Sequence, residues 1–167
     1  MALSVLADRL GATFKSHKSN ASVAEARLGA GGPKVNLAKP GSYMNTSGGP
    51  VTSLMKFFDL DISHVVVLHD ELDIPAEDVR IKLGGGHGGH NGLRDIIAAA
   101  GSNEFSRVRI GIGRPPGRMD TADFVLKDFS SAERKGLPVT LEIAADAAEA
   151  IVIDGVLAAQ NKFNTAS

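Results

Sequence analysis

Between Val79 and Gly113 the chain reads VRIKLGGGHGGHNGLRDIIAAAGSNEFSRVRIGIG, two alternating segments separated by a glycine-rich stretch and a short helix-like segment. Period-two alternation is what a strand with one buried face requires, and NGLRDIIAAAG reads as a helix closed by Gly101. A strand, a loop, a helix and a second strand in that order point to a layered α/β architecture. The segment Lys82 to Asp95 holds six glycines, two histidines and an asparagine. So many glycines in one loop mean that the backbone takes left-handed angles there, or that something approaches it too closely for side chains.

The rest of the chain is consistent with that architecture. Met1 to Leu10 is amphipathic, with Leu3, Leu6, Ala7 and Leu10 on one face, and nothing before it supplies a cap. SVAEARL (Ser22 to Leu28) and KVNLAKP (Lys34 to Pro40) flank the turn-rich GAGGP and predict a hairpin. In NTSGGPVTSLMKFFDL, Val51, Leu54, Met55 and Phe58 fall at helical spacing, with Asn45, Thr46 or Ser47 available as the cap. HVVVLHDELD begins as a continuous apolar run, the pattern of a strand buried on both faces, and turns abruptly acidic. A capping-box pattern at Ser130 to Glu133 starts a long helical stretch that reaches Asp154 and Gly155, and a last short helix follows. The expectation is an α/β sandwich, one domain over residues 1–167, with a mixed central sheet flanked by helices.

Composition narrows the chemistry. The 167 residues contain no cysteine, which rules out disulfides, thiolate nucleophiles and zinc–cysteine sites. Eighteen Lys and Arg against nineteen Asp and Glu give a net charge of -1, so only local clustering can indicate a polyanionic partner. No apolar run approaches the ~20 residues of a membrane span, and no basic-plus-apolar leader opens the chain, so the expectation is a cytoplasmic protein with no membrane partner.

Four stretches can carry chemistry. HDELD sets His69, Asp70, Glu71 and Asp73 at the end of the apolar strand, where carboxylates orient a histidine, hold a metal or act as a general base, or else form a solvated acidic turn. The glycine loop formally contains G-x-G-x-x-G at Gly84, Gly86 and Gly89, a weak dinucleotide signal; the next strand ends in Arg114 rather than an acid, and no Gly-Lys-Ser/Thr follows for a P-loop. His87 and His90 lack a metal-ligand spacing with built-in geometry, and Asn91 suits a helix cap. On the two alternating strands, Arg80 and Lys82 share one face, as do Arg107, Arg109, Gly111 and Gly113, which predicts a basic stripe with room for a phosphate backbone, extended by Arg114 and Arg118. In KPGSYMNTSG, Tyr43, Met44 and Asn45 are either a stacking and hydrogen-bonding platform or a staple ahead of a capped helix.

Taken in this order and at these spacings, KPGSYMNTSG, HDELD, KLGGGHGGHNGL and RVRIGIGRPPG resemble the bacterial peptidyl-tRNA hydrolase family over essentially the whole chain. The resemblance implies hydrolysis of the ester that links a peptide to the terminal ribose of tRNA, by a histidine acting as general base on water. It implies no cofactor, a peptidyl-tRNA substrate, tRNA as the partner, and a monomer. Position by position, Asp70 matches the aspartate that orients the catalytic histidine, while Asn45 and Asn91 match cleft amides that contact the substrate and the attacking water. Tyr43 and Met44 match neighbouring cleft residues, and His90 matches the histidine beside the second amide. Lys82 and Arg109 match the pair that clamps a tRNA phosphate.

Family members open with a strand and a loop of the G-L-G-N-P-G type followed by Y and T-R-H-N, which carry the catalytic histidine, and nothing comparable stands in these 167 residues. His69, His87 and His90 match other family positions, and His17 and His64 lie outside the motifs. The expectation is therefore a chain shortened at its amino end relative to the family, Met1 being an internal methionine, with the tRNA surface intact and hydrolysis impaired. The alternatives are a catalytically silent tRNA-binding protein and, from the glycine loop, a nicotinamide-dependent oxidoreductase.

Overall fold

The computed structural model describes residues 2–17, 21–28, 32–40, 48–71, 74–75, 78–87, 91–111 and 131–164. These gather into two compact units, one of residues 3–67 and 82–107, the other of residues 68–81 and 108–167.

The amphipathic opening is helix α1 (Ala2–Leu10), with Leu6 and Ala7 buried as its spacing requires. Strands β1 (Lys15–His17), β2 (Ala21–Arg27) and β3 (Lys34–Pro40) form an antiparallel sheet in that order. The expected hairpin is present, with Val23 opposite Ala38 and Glu25 opposite Asn36. Ala21 and Val23 are buried on one face of it, and Ala24 with Leu37 opposite it on the other.

Helix α2 (Gly48–Phe57) packs on helix α3 (Asn91–Ala100), which ends at Gly101 as predicted. The cap expected from Asn45, Thr46 or Ser47 falls outside the described residues. The Gly48 N–H donates to Asp95 Oδ2 at 2.6 Å, so a carboxylate from α3 faces the positive end of α2. Below the two helices, Leu93, Ile96 and Phe105 form a core with Val51, Ile62, Val65, Val67 and Ile97 against it. Ile62 belongs to a short 3₁₀ turn, Ile62–His64.

A second sheet holds β4 (Val66–Glu71), β6 (Ser106–Gly111) and β5 (Val79–Leu83) in the order β4-β6-β5. Two expectations change here. The apolar run in β4 was expected to be buried on both faces, yet Val66, Val67 and Leu68 are half-buried. Among the described strands β4 stands at an end of the order, with a neighbour on one side only. Conversely β6, expected to show one solvated face, is buried almost throughout, including Ser106, Arg107, Val108 and Ile110. It is the middle strand, and a middle strand in an α/β layer is covered on both sides.

In the second unit, helix α4 (Ser131–Asp154) buries a stripe of small residues, Ala144, Ala145, Ala147, Ala148 and Ala150, together with Ile151. It stops at Gly155, as predicted, and helix α5 (Val156–Asn164) packs back on it. Asn164 then serves as a strand substitute. Its Oδ1 accepts from the Ile81 N–H at 2.9 Å and its Nδ2 donates to the Ile81 carbonyl at 2.8 Å, with Gln160 Nε2 donating to the same carbonyl at 3.4 Å, so side chains of α5 satisfy the backbone of a strand that stands at an end of the order among the described strands.

Candidate functional site

Strand β5 runs directly into the glycine loop. The Gly84 N–H donates to the Phe105 carbonyl at 3.1 Å, and Gly84 and Gly85 both adopt left-handed φ angles, 68° and 86°. A Cβ on Gly85 would lie 2.6 Å from Lys82 Cε and 2.8 Å from its Nζ. The ammonium end of Lys82 thus folds back onto the loop backbone.

From β6 comes Arg107, whose side chain is the largest fully buried one described, at 1% exposure. Its Nη1 donates to the Gly86 carbonyl at 2.6 Å, and its Nη2 donates to the carbonyls of Gly85 at 2.9 Å and Asn103 at 3.3 Å. The guanidinium sits 4.5 Å from the Phe105 ring centre. Asn103 Nδ2 donates to the same Gly85 carbonyl at 3.1 Å. Part of what the glycines admit is therefore the protein itself, a lysine tip against Gly85 and an arginine fork on two successive carbonyls.

This corrects the basic stripe. Arg107 was expected beside Arg109 on a face open to phosphate, and it is instead consumed by the loop. Gly111 was expected to leave room for an anion, but a Cβ there would run into the Pro75 carbonyl oxygen and lie 2.7 Å from Ile74 Cγ2. The space is already taken by backbone. Arg80 pairs with Asp78 at 3.6 Å. Gly113, Arg114 and Arg118 fall outside the described residues.

Arg109 keeps a partly open position, its side chain 27% exposed, with its Nε 3.6 Å from Glu71 Oε2. Lys82 belongs to the first unit and Arg109 to the second. Asp70 stands exposed near the end of β4, on a strand that continues through Glu71 rather than in an acidic turn. His69 beside it is buried, and its Nδ1–H donates to the Asp70 carbonyl at 2.9 Å. That bond assigns the proton to Nδ1 and holds the backbone that presents the Asp70 carboxylate. Tyr43, Met44, Asn45, Asp73 and His90 lie outside the described residues, and of Asn91 the structure describes the backbone, as the first residue of α3.

Two other histidines have structural surroundings. His17 packs edge-on against Phe57, with ring centres 4.5 Å apart, and near Phe58. His64 is exposed at the end of the 3₁₀ turn. Among the described residues no group of three or more histidines and carboxylates is placed to hold a metal ion, and no helix is long and apolar enough to cross a membrane.

A sequence model of the peptidyl-tRNA hydrolase family matches residues 1–167. The chain belongs to the peptidyl-tRNA hydrolase family. A peptidyl-tRNA hydrolase of Arthrobacter sp. (strain FB24) is 61% identical over 166 residues, 99% of this chain and 86% of the relative. One from Leifsonia xyli subsp. xyli is 57% identical over the same length, again 86% of the relative. The solved structure of peptidyl-tRNA hydrolase from Acinetobacter baumannii superposes with a TM-score of 0.87 at 35% identity, covering 98% of this chain and 82% of that one. The α/β fold expected from the sequence is thus the peptidyl-tRNA hydrolase fold.

Within that family likeness, two parts of the site escaped the sequence reading: the grip of Arg107 on the glycine loop and the pairing of Glu71 with Arg109. The available signal was indirect. A residue on a period-two strand is placed on a face by its number alone, but whether that face meets solvent depends on which strand ends up in the middle.

Proposed function

We propose that this chain acts on peptidyl-tRNA, in which water attacks the carbonyl carbon of the ester, the carbonyl–ribose bond breaks, and peptide acid and tRNA leave, the ribose oxygen taking up a proton. Asp70, Asn45 and Asn91 serve the reacting end; Tyr43, Met44 and His90 line the cleft; Lys82 and Arg109 take tRNA phosphates. The observation that carries this reading is the family match across all 167 residues. The exposed carboxylate of Asp70, held by a strand whose neighbouring histidine ties down its backbone, suits the role of an orienting acid.

The reading extends to a single peptidyl-tRNA hydrolase-like domain, working as a cytoplasmic monomer without a cofactor. The test is peptide release from a radiolabelled peptidyl-tRNA alongside binding of the released tRNA. Binding with peptide release supports the reading, whereas binding without release favours a tRNA-binding protein that is catalytically silent. If neither occurs, the proposed tRNA surface is wrong.

A further inference from the structure

We infer that Arg107 is a positioning residue for tRNA binding, acting through the glycine loop on Lys82. The inference rests on the proposed role of Lys82 as a phosphate ligand. Two observations join at Gly85. On one side its carbonyl, and that of Gly86, are held by the fork of a buried guanidinium, with Asn103 Nδ2 on the same Gly85 oxygen. On the other, Gly85 has no side chain, and Lys82 Cε and Nζ occupy the space that a Cβ would need. The loop backbone is therefore the floor beneath the ammonium group, and Arg107 fixes that floor.

The chemistry of the fork matters. A planar guanidinium delivers two parallel N–H groups to two adjacent carbonyls, whereas a lysine ammonium delivers a point charge that cannot span both with the same geometry. A buried cation engaged in this way contributes little as a direct phosphate ligand, since its Nη groups already face protein carbonyls. Its effect on a polyanion must pass through what it positions. Lys82 is the charged side chain resting on that segment.

The test is a double-mutant cycle on tRNA affinity in the 167-residue chain. Asn103→Ala removes one of the bonds to the Gly85 carbonyl without leaving a buried charge, so it serves as the mild probe; Arg107→Lys is the stronger one. Asn103→Ala is expected to weaken tRNA binding about fivefold, the effect of one lost hydrogen bond on position. In a Lys82→Ala background the same change is expected to have almost no further effect, because the group it positions is gone. Arg107→Lys should weaken binding more than Asn103→Ala even though it keeps the charge. Parent-like affinity in Asn103→Ala, or equal losses in both backgrounds, overturns the inference and leaves the two residues with a structural role only. A parent chain that fails to bind tRNA overturns the functional reading itself, and this inference with it.

Discussion

The Nε of Arg109 lies 3.6 Å from Glu71 Oε2, and neither side chain is more than about a quarter exposed, at 27% and 13%. An ion pair at Nε does not by itself use the end of the fork, where the two Nη groups present parallel N–H bonds of the kind a phosphate oxygen pair accepts. The same carboxylate also puts a negative charge close to where a tRNA phosphate would bind. Orientation and repulsion act together in this pair, and for a neutral amide of the same shape only the first remains.

Glu71→Gln is therefore expected to raise tRNA affinity at low salt by about threefold to fivefold, since a unit charge a few ångströms away in a water-like dielectric is worth about 1 kcal/mol or less. The gain should vanish near molar salt, where screening acts within ~3 Å. Titrations of labelled tRNA at several salt concentrations check it. A loss of affinity would mean that aiming the fork outweighs the repulsion.

The contact between Asp95 and the Gly48 N–H at 2.6 Å belongs to the frame and not to the substrate surface. Asp95→Ala leaves a donor at a helix start without this acceptor, in a position where Gly48 is buried against α3. The expected cost is about 1 kcal/mol, within the ~0.5–2 kcal/mol span of lost caps. Chemical denaturation should show it as a lower midpoint at unchanged slope, with tRNA affinity unaltered once the protein is folded.

Features set by neighbouring residues were legible in the sequence. The β2–β3 hairpin, the break between α4 and α5 at Gly155, and the end of α3 at Gly101 each depend on turn or capping chemistry confined to a few positions. Features set by the order of strands were not. The RVRIGIG pattern predicts a face but not its cover, so Arg107 read as solvated and proved buried. The motifs that mark the family propose Asp70, Lys82 and Arg109 as site positions, but leave the partners of Arg107 and Arg109 unread because Glu71 and the loop carbonyls reach them through tertiary structure.

Gly111 shows the same limit from the other side. Its glycine character reads as room for a ligand, but the neighbours are the backbone of Ile74 and Pro75, which cannot swing away as a flexible side chain would. Gly111→Ala is expected to destabilise by about 1–3 kcal/mol, the usual range for overpacking, a lowering of the melting temperature of about 2–4 °C per kcal/mol for a chain of this size. Gly86→Ala, where nothing lies within 4 Å of the added methyl, should be nearly silent in the same scan.

The two proposed phosphate ligands should fail differently. Lys82→Ala removes one cationic contact, so the slope of log affinity against log salt should become less steep by about 0.7–0.9 for the one phosphate released. Arg109→Ala removes a similar contact but also strips Glu71 of the cation 3.6 Å away, leaving a carboxylate facing the nucleic acid. At low salt Arg109→Ala should therefore bind tRNA more weakly than Lys82→Ala, and adding Glu71→Gln to it should recover part of the loss. Equal losses in the two single variants, with no recovery in the double variant, would show that Glu71 does not act on bound tRNA at all.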